Sequence, residues 1–217
     1  MAVDFNYQIY LRSAFNRIYD MVTSQKIQRP IIMPSGGPTD VWPPYRRTEA
    51  GVMIEFLKGL ARRPTVSKST RGWKFAAESR ALSTLENLFF TKKLLRPGSK
   101  ITLFCEQTRV PRIRREARRV YGARYQVEVI GIDFDVSANR YVDPAWLQKK
   151  EHGAERFNTW SMKSPANLRE HHRYYARRIA YFRRIGGPNH VAAVRTWPQQ
   201  AIKEFPTLVE KFHLSKK

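Results

Sequence analysis

Apolar residues near the N-terminus recur three or four positions apart, with polar residues between them. The stripe consists of Leu11, Phe15, Ile18 and Val22. This spacing predicts an amphipathic helix from Phe5 to Met21, within an N-terminal unit of residues 1–26. A cleaved organellar targeting helix is the alternative, but such helices avoid acidic residues, and Asp4 and Asp20 bracket this one. A folded helix is the interpretation that we favour.

Residues 27–47 are too rich in proline and glycine for a helix or a central strand. The segment contains Pro30, Pro34, Pro38, Pro43, Pro44 and the pair Gly36-Gly37. We expect an extended connection. Because connections of this length are uncommon in compact domains, we expect it to lie against RNA or a neighbouring protein.

The helical period returns in residues 48–98. Apolar residues predict one helix from Thr48 to Arg62 and a second from about Phe75 to Leu95. The Pro97-Gly98 pair ends the second helix, since neither residue continues a helix well.

Residues 99–150 change to the pattern of strands. Strands are predicted over Ile101–Cys105 and Tyr125–Asp135, with a helix over Pro111–Tyr121 between them. Strand, helix and strand over about 35 residues are typical of a βαβ unit with two parallel strands. The alternation of apolar residues shifts phase at Gly131, which predicts an irregularity in the second strand.

The last third of the chain, residues 151–217, carries helical patterns. Ser164-Pro165 begins a long helix that Gly186-Gly187-Pro188 ends, and shorter helices are expected to begin at Pro198 and Pro206. The whole pattern predicts a mostly helical α+β fold in one compact unit. Its small βαβ-type sheet is flanked by N- and C-terminal helices and by the Pro-rich extended segment.

Charge indicates that this fold needs a partner. The chain has 217 residues, with 40 Lys and Arg against 18 acidic residues and a net charge of +22. Such an excess makes a compact chain repel itself, and a polyanion would neutralise it. Arginine outnumbers lysine by 26 to 14, and its planar guanidinium pairs with phosphate and stacks on bases. Because the excess is spread along the sequence, we predict structured RNA as the partner.

Three groups of residues are candidate RNA contacts. The helix over Pro111–Tyr121 carries Arg112, Arg114, Arg115, Arg118 and Arg119. The long C-terminal helix carries Arg169, Arg173, Tyr174, Arg177, Arg178, Tyr181, Arg183 and Arg184. The third group, on a predicted loop, consists of Arg62, Arg63, Lys68, Arg71 and Lys74. Like charges so close together repel, so a phosphate backbone beside the first group would stabilise its helix.

Aromatic residues of the long C-terminal helix divide between a predicted core seam and its flanks. We assign the seam to Leu168, His172, Tyr175, Ile179 and Phe182. Tyr174 and Tyr181 lie off that seam and are therefore the candidates for stacking on unpaired bases.

Glu128, Asp133 and Asp135 lie on and after the second strand and are the candidates for chemistry. Paired carboxylates at a strand end can hold Mg²⁺ for phosphodiester cleavage. The sequence Ile130–Asp135 resembles the first strand of RNase H-like nucleases, in which an Asp follows an apolar strand. That family also requires later carboxylates, whereas no Asp follows Asp143 here. A regular strand would aim Glu128 and Asp133 at opposite faces.

Signatures of other chemistry are missing from the sequence. His171 and His172 would point about 100° apart on a helix, so they do not share one metal ion simply. The single Cys105 excludes an internal disulfide and a cysteine zinc site. Motifs of nucleotide hydrolysis and serine hydrolases are absent, and no apolar run is long enough for a membrane span. We expect no metal, no cofactor and no small-molecule substrate.

These features favour a structural RNA-binding protein that is not an enzyme. Small size, a modest core, an ordered extended segment and dispersed arginines resemble ribosomal proteins as a class. That resemblance implies ribosomal RNA and neighbouring ribosomal proteins as partners, and the arginine and aromatic content favours a mitochondrial ribosome over a cytoplasmic one. Two alternatives stay open: a Mg²⁺-dependent RNA-processing nuclease using Glu128, Asp133 and Asp135, and a basic accessory subunit of a membrane-associated complex.

Overall fold

A computed structural model of the protein describes residues 5–41, 43–133, 144–185 and 190–214. Its elements in chain order are α1 Phe5–Ser24, β1 Ile31–Ile32, α2 Glu49–Ala61, α3 Pro64–Thr70, β2 Lys74–Phe75, α4 Thr84–Leu94, β3 Lys100–Glu106, α5 Val110–Tyr121, β4 Gln126–Ile132, α6 Pro144–Ser161, α7 Pro165–Ile185, α8 His190–Glu204 and α9 Pro206–Phe212. The predicted mostly helical α+β fold is confirmed.

The predicted βαβ unit is formed by β3, α5 and β4. The two strands are parallel and stay in one register over their whole length. The predicted irregularity at Gly131 is wrong, because Gly131 lies directly opposite Cys105 within that register. The missing side chain instead makes room for the residues that lead into α5: a Cβ at Gly131 would lie 2.8 Å from Val110 Cγ2.

Different helices cover the two faces of this sheet. Leu103 and Val129 point to one face, where they pack with Ile113 of α5. Phe104 and Ile132 point to the other face and pack with α1. Two buried faces are the usual environment of parallel strands. All members of the stripe predicted for α1 are buried: Leu11 packs in the cluster of Ile132, and Phe15, Ile18 and Val22 pack in a cluster with Leu57 and Leu60 of α2.

A second parallel pair, β1 with β2, corrects the predicted helix from Phe75 to Leu95. Ile31 pairs with Lys74 and Ile32 with Phe75, so the chain at Phe75 is a strand. The helix α4 begins only after Ser83, whose Oγ accepts a hydrogen bond from the Glu86 backbone N–H at 3.2 Å. Such a serine cap satisfies a backbone donor that the first turn leaves free.

The Pro-rich segment lies against this chain itself, and its contact with RNA or a neighbouring protein stays a prediction. The Gly36 N–H donates to the Glu78 carbonyl at 2.9 Å, and the Gly37 N–H donates to the Ala81 carbonyl at 2.6 Å. A Cβ at Gly37 would lie 2.6 Å from that same Ala81 oxygen, so the close approach requires glycine. Trp42 lies outside the described residues.

The C-terminal helices α6 to α9 enclose an aromatic core of their own. Its buried members include Phe157, Tyr174, Phe182, Trp197, Phe205 and Phe212. The predicted start of α9 at Pro206 is confirmed, whereas Pro198 lies inside α8 and begins no helix. Within the described ranges, no helix has the length and apolar character that crossing a bilayer requires.

Candidate nucleic-acid interface

The five arginines of α5 fall into three groups, of which the first is Arg112, a buried residue. Arg112 is 5% exposed, and its Nη1 lies 3.2 Å from both carboxylate oxygens of Glu116. The Asn158 amide donates to Glu116 Oε1 at 2.7 Å and so completes a buried polar group between α5 and α6. A paired, hydrogen-bonded interior cation is the arrangement that burial of charge requires. The structure therefore removes Arg112 from the predicted RNA contacts.

Arg115 and Arg119 join α5 to α6. The Arg115 guanidinium binds both carboxylate oxygens of Glu155, at 2.5 and 2.6 Å. Arg119 Nη1 donates to Thr159 Oγ1 at 2.6 Å. The hydrogen bond to Glu155 raises the pKa of Arg115 further above its already high value. Both side chains are partly exposed to solvent, but guanidinium N–H groups of each donate to residues of α6.

Arg114 and Arg118 are the members of the α5 group that stay available. Both are exposed, and neither forms a hydrogen bond or an ion pair within the described residues. They line one groove of about 290 Å³ between α5 and β4, together with Ala117, Val127, Glu128 and Val129. We call this feature the α5–β4 groove.

The two tyrosines predicted to stack on bases are core residues of the helical C-terminal region. Tyr174 is 5% exposed, and its hydroxyl accepts a hydrogen bond from Trp197 Nε1 at 3.1 Å. Tyr181 is also buried and donates to Thr196 Oγ1 at 2.8 Å. Burial raises the pKa of the Tyr174 hydroxyl. The predicted seam is wrong at His172, whose side chain is half exposed while His171 is fully buried, and it is confirmed at Phe182.

Most arginines of α7 have partners inside the protein. Arg173 pairs with Glu170 at 2.9 Å, and Arg177 pairs with Glu204 of α8 at 3.0 Å. Arg183 donates to the backbone carbonyls of Pro38 and Asp40, at 2.6 and 2.9 Å, and so holds the Pro-rich segment against α7.

The remaining arginines of α7 are Arg169, Arg178 and Arg184. Arg178 lies over the ring of Phe182 at 5.1 Å, and Arg184 lies over the ring of Tyr181 at 5.2 Å. Arg169 is exposed and has no ion pair within the described part of the chain. Five of the six arginines of α7 thus make a contact within the protein, but four of the six, Arg169, Arg173, Arg177 and Arg184, remain exposed.

The third predicted group lies not on a loop but on α3 and on the residues that flank it, from the end of α2 to β2. Its members Arg62, Arg63, Lys68, Arg71 and Lys74 are all exposed, and none forms an ion pair within the described residues. Pairing of β1 with β2 brings two further exposed cations, Lys26 and Arg29, beside them. The contacts that do this are a hydrogen bond from the Lys74 N–H to the Pro30 carbonyl at 2.9 Å and the close approach of Gly72 to the Gln28 carbonyl. We call these seven residues the basic face.

The acidic residues proposed for catalysis do not form a site among the described residues. β4 is regular and ends at Ile132, so Glu128 and Asp133 have opposite parity along the strand, and a five-residue separation corresponds to about 16 Å of strand. No group of three metal-binding side chains occurs within the described ranges. Asp135 lies outside them.

A polar network at the carboxyl ends of β1 and β2 was missed at the level of sequence. Ser35 Oγ donates to Glu78 Oε2 at 2.6 Å. Glu78 Oε1 in turn accepts from the backbone N–H groups of Arg80 and Ala81, at 2.7 and 3.2 Å. Glu49, at the start of α2, accepts a hydrogen bond from Thr39, and burial raises the pKa of its carboxyl. A small-residue run after an apolar run, Ser35-Gly36-Gly37, was the available signal.

His171 joins α7 to α4 and α6. Its ring nitrogens lie 2.8 Å from Ser83 Oγ, the cap of α4, and 2.9 Å from Ser161 Oγ of α6. Burial lowers the pKa of His171 to about 3, so the imidazole is neutral. Neighbouring His172 lies 3.0 Å from the buried carboxylate of Glu86. Two adjacent histidines thus join α7 to the start of α4, and they do not share a metal site.

The chain matches no protein-family model, and no curated protein and no solved structure is significantly similar to it. Functional inference therefore depends on the basic face, the α5–β4 groove and the polar network.

Proposed function

We propose that the protein binds structured RNA and that its role is structural rather than catalytic. The observation that supports this most directly is the basic face, whose seven exposed cations lie on two chain segments, residues 26–29 and 62–74, that the pairing of β1 with β2 brings together. Within the described residues none of them has an internal carboxylate partner. Folding thus assembles this surface from residues that are about 45 positions apart in the sequence.

The chemistry of this surface suits a phosphate polymer better than a protein partner. A mixture of both charge signs is typical of solvated surfaces, whereas the two segments that carry these cations, residues 26–29 and 62–74, contain no Asp or Glu. Each cation that neutralises a phosphate releases a bound counterion, so affinity depends strongly on salt. Phosphate contacts of this kind position a protein on RNA without reading its sequence.

Charge reversal on the basic face tests this proposal. The variant Arg63→Glu with Arg71→Glu should weaken binding of a structured RNA hairpin, measured by fluorescence anisotropy between 50 and 300 mM salt. The matched control is Arg195→Glu with Lys203→Glu, since both residues are exposed on α8 and have no ion pair within the described residues. The control changes net charge equally and should keep most of the affinity. Equal losses in both variants would show a response to net charge alone.

Ribosomal RNA is the RNA class that we propose first, and a mitochondrial ribosome is the proposed location. Dispersed positive charge is suited to a protein that lies among closely packed RNA helices. Ultraviolet crosslinking in cells, with sequencing of the attached RNA, identifies the class. Recovery of mitochondrial ribosomal RNA supports the proposal, another RNA class contradicts the ribosomal assignment, and no RNA above background contradicts RNA binding itself.

The polar network supports a second candidate function, which is binding of a small polar molecule. Ligands of parallel α/β sheets bind outside the carboxyl ends of the strands. Ser35, Glu49 and Glu78 lie at that end of β1 and β2. The helices α2 and α4 both begin there, after the caps Thr48 and Ser83.

A thermal-shift experiment tests this second candidate. The probes are a defined set of mononucleotides, sugar phosphates and amino acids, and the variant is the nearly isosteric Glu49→Gln. A compound that raises the melting temperature of the natural protein and not of Glu49→Gln supports a site at the network. Equal behaviour of both proteins with every compound contradicts it.

A further inference from the structure

On the basis of the RNA binding proposed above, we propose that the α5–β4 groove binds one unpaired nucleotide, whose phosphate is held by Arg114 and Arg118. Free nucleotide carries the same phosphate and base, so it is the alternative source of this ligand. The groove is separate from the basic face in its residues and lies at a different pair of elements.

The two arginines are spaced for one anion. Residues four apart on a helix are neighbours on its surface, with Cβ atoms about 5–6 Å apart. Arg114 and Arg118 have this spacing and are both exposed. Like charges at this spacing repel each other when nothing lies between them. A phosphate accepts charge-assisted hydrogen bonds from both guanidinium groups and turns that repulsion into attraction.

Partner choice within α5 shows why this pair differs from its neighbours. Arg115 and Arg119 have the same spacing, but they donate to Glu155 and Thr159 of α6. Arg114 and Arg118 have no such partner within the described residues. The same helix therefore presents one pair of arginines to the protein and one pair to the groove.

Apolar residues line part of the groove, and its volume is that of a small site. Ala117, Val127 and Val129 line it beside the two arginines. Its volume of about 290 Å³ is near the lower limit of small-ligand sites, about 300 Å³. Aliphatic side chains can cover one face of a base, while the arginines hold the phosphate at the rim. A ligand much larger than one nucleotide would extend out of the groove.

Backbone groups along β4 supply hydrogen bonds for the base or ribose. In the part of the chain that the structure describes, β4 pairs with β3 alone, so its second edge carries unpaired N–H and C=O groups. Such groups bond to whatever polar atoms approach them. Glu128 is the acidic residue among those that line the groove, and it can accept from a ribose hydroxyl or a base amino group.

The test uses a groove variant that carries both Arg114→Gln and Arg118→Gln. Its matched control carries both Arg195→Gln and Lys203→Gln. Two probes are used: a single-stranded 12-nucleotide RNA, followed by anisotropy across a salt series, and AMP, followed by equilibrium dialysis. The slope of log K against log salt is negative, and loss of one phosphate contact makes it shallower by about 0.7. If the two proteins bind equally at about 1 M salt, the variant then binds about fivefold more weakly at about 0.1 M. The melting temperature should not fall, because the substitutions remove a repulsion.

The outcomes separate this proposal from RNA binding as a whole. A shallower dependence of log K on log salt in the groove variant, with an unchanged dependence in the control, supports the groove as an RNA contact. Normal RNA binding by the groove variant overturns it, while the proposed function stands. If the natural protein binds no RNA, the proposed function fails; AMP binding that is lost in the groove variant then supports the groove as a free-nucleotide site. Absence of binding to both probes overturns the groove.

Discussion

At the scale of residues, the hydrogen-bond partners of each arginine of α5 determine how much that arginine contributes to the stability of the fold. Arg112 and Glu116 form a buried ion pair, and loss of either residue would remove from the other the opposite charge that this pair supplies inside the protein. Arg115 spans an exposed gap to Glu155, where solvent screens the interaction. Arg114 has no partner within the described residues, so its side chain has no comparable role in stability.

We predict that loss of Arg115 and Arg119 destabilises the protein, whereas loss of Arg114 and Arg118 does not. Arg115→Ala with Arg119→Ala should lower the free energy of unfolding by about 1 kcal/mol, since exposed pairs contribute about 0.2–1 kcal/mol each. Arg114→Ala with Arg118→Ala should leave it unchanged or slightly higher. Urea unfolding followed by circular dichroism measures both. Equal effects of the two double variants would contradict the assignment of Arg115 and Arg119 to the contact between α5 and α6.

His171 gives a second prediction, on the pH dependence of stability. Its pKa in the folded protein is about 3, below the ordinary value of about 6.5 that applies after unfolding. The unfolded state therefore binds the proton first as pH falls. The stabilising contribution is complete above pH 6.5 and is lost progressively below it. Between pH 7 and pH 5 the loss is about 2 kcal/mol.

The variant His171→Gln isolates this contribution. Urea unfolding of the natural protein should show the loss between pH 7 and pH 5, whereas the variant should show a much smaller change, although it is less stable at pH 7. His213→Gln is the control because His213 is exposed, and it should keep the pH dependence of the natural protein. An unchanged pH dependence in His171→Gln would mean that another group titrates.

At the scale of elements, the packing of α7 on α8 depends on polar atoms inside an aromatic core. Trp197 Nε1 donates to the Tyr174 hydroxyl, and the two rings meet edge to face with centroids 5.5 Å apart. Arg173 covers the outer side of the same cluster, over the ring of Phe205 at 5.1 Å. The aromatic and arginine content that suggested base stacking is used here for contact between helices.

Tyr174→Phe tests that interpretation. It removes the acceptor and leaves the Trp197 indole N–H buried without a partner, which should cost about 1–3 kcal/mol of stability. RNA affinity measured by anisotropy should stay unchanged. The comparison variant Tyr125→Phe changes a tyrosine that is only partly buried and should cost less. Lower RNA affinity with unchanged stability would restore Tyr174 as a base-stacking residue.

Elements with a strong period were predictable, and those that depend on distant pairing were not. The stripe of α1 and the strand–helix–strand unit around α5 follow from local alternation, and the structure confirms them. The β1–β2 pair is two residues long on each strand, too short for any periodic signal. Ala76 and Ala77 are good helix formers, so propensity extended the predicted α4 backwards across β2.

The residue types of the candidate site could be predicted from the sequence, but the internal hydrogen-bond partner of each arginine could not. Composition identified α5 as the most basic helix, and the groove contains two of its five predicted contacts. Sequence alone could not separate Arg114 from Arg115, because only the position of α6 gives Arg115 its acceptor. Likewise, Lys26 and Arg29 join the basic face only through the pairing of β1 with β2.

At the scale of the whole molecule, internal ion pairs cannot compensate the net charge, because Lys and Arg outnumber the acidic residues by 22. The chain carries 18 acidic residues, and several of them, such as Glu116, Glu155 and Glu204, are already paired with arginine. Unpaired cations therefore face solvent on more than one side, on the basic face and at the α5–β4 groove. Their mutual repulsion acts against the compact state at low ionic strength.

This repulsion predicts an unusual response of stability to salt. The melting temperature should rise as NaCl is increased from 20 to 300 mM, because the Debye length shortens from about 20 Å to about 6 Å and the repulsion between cations is screened. A structured RNA should give a larger rise at far lower concentration, since it binds the folded state and stabilises it by mass action. Adding salt to the RNA-bound protein should lower its melting temperature, because salt weakens that binding. A melting temperature that falls with salt in the free protein would show that internal ion pairs, rather than repulsion between excess cations, dominate its electrostatics.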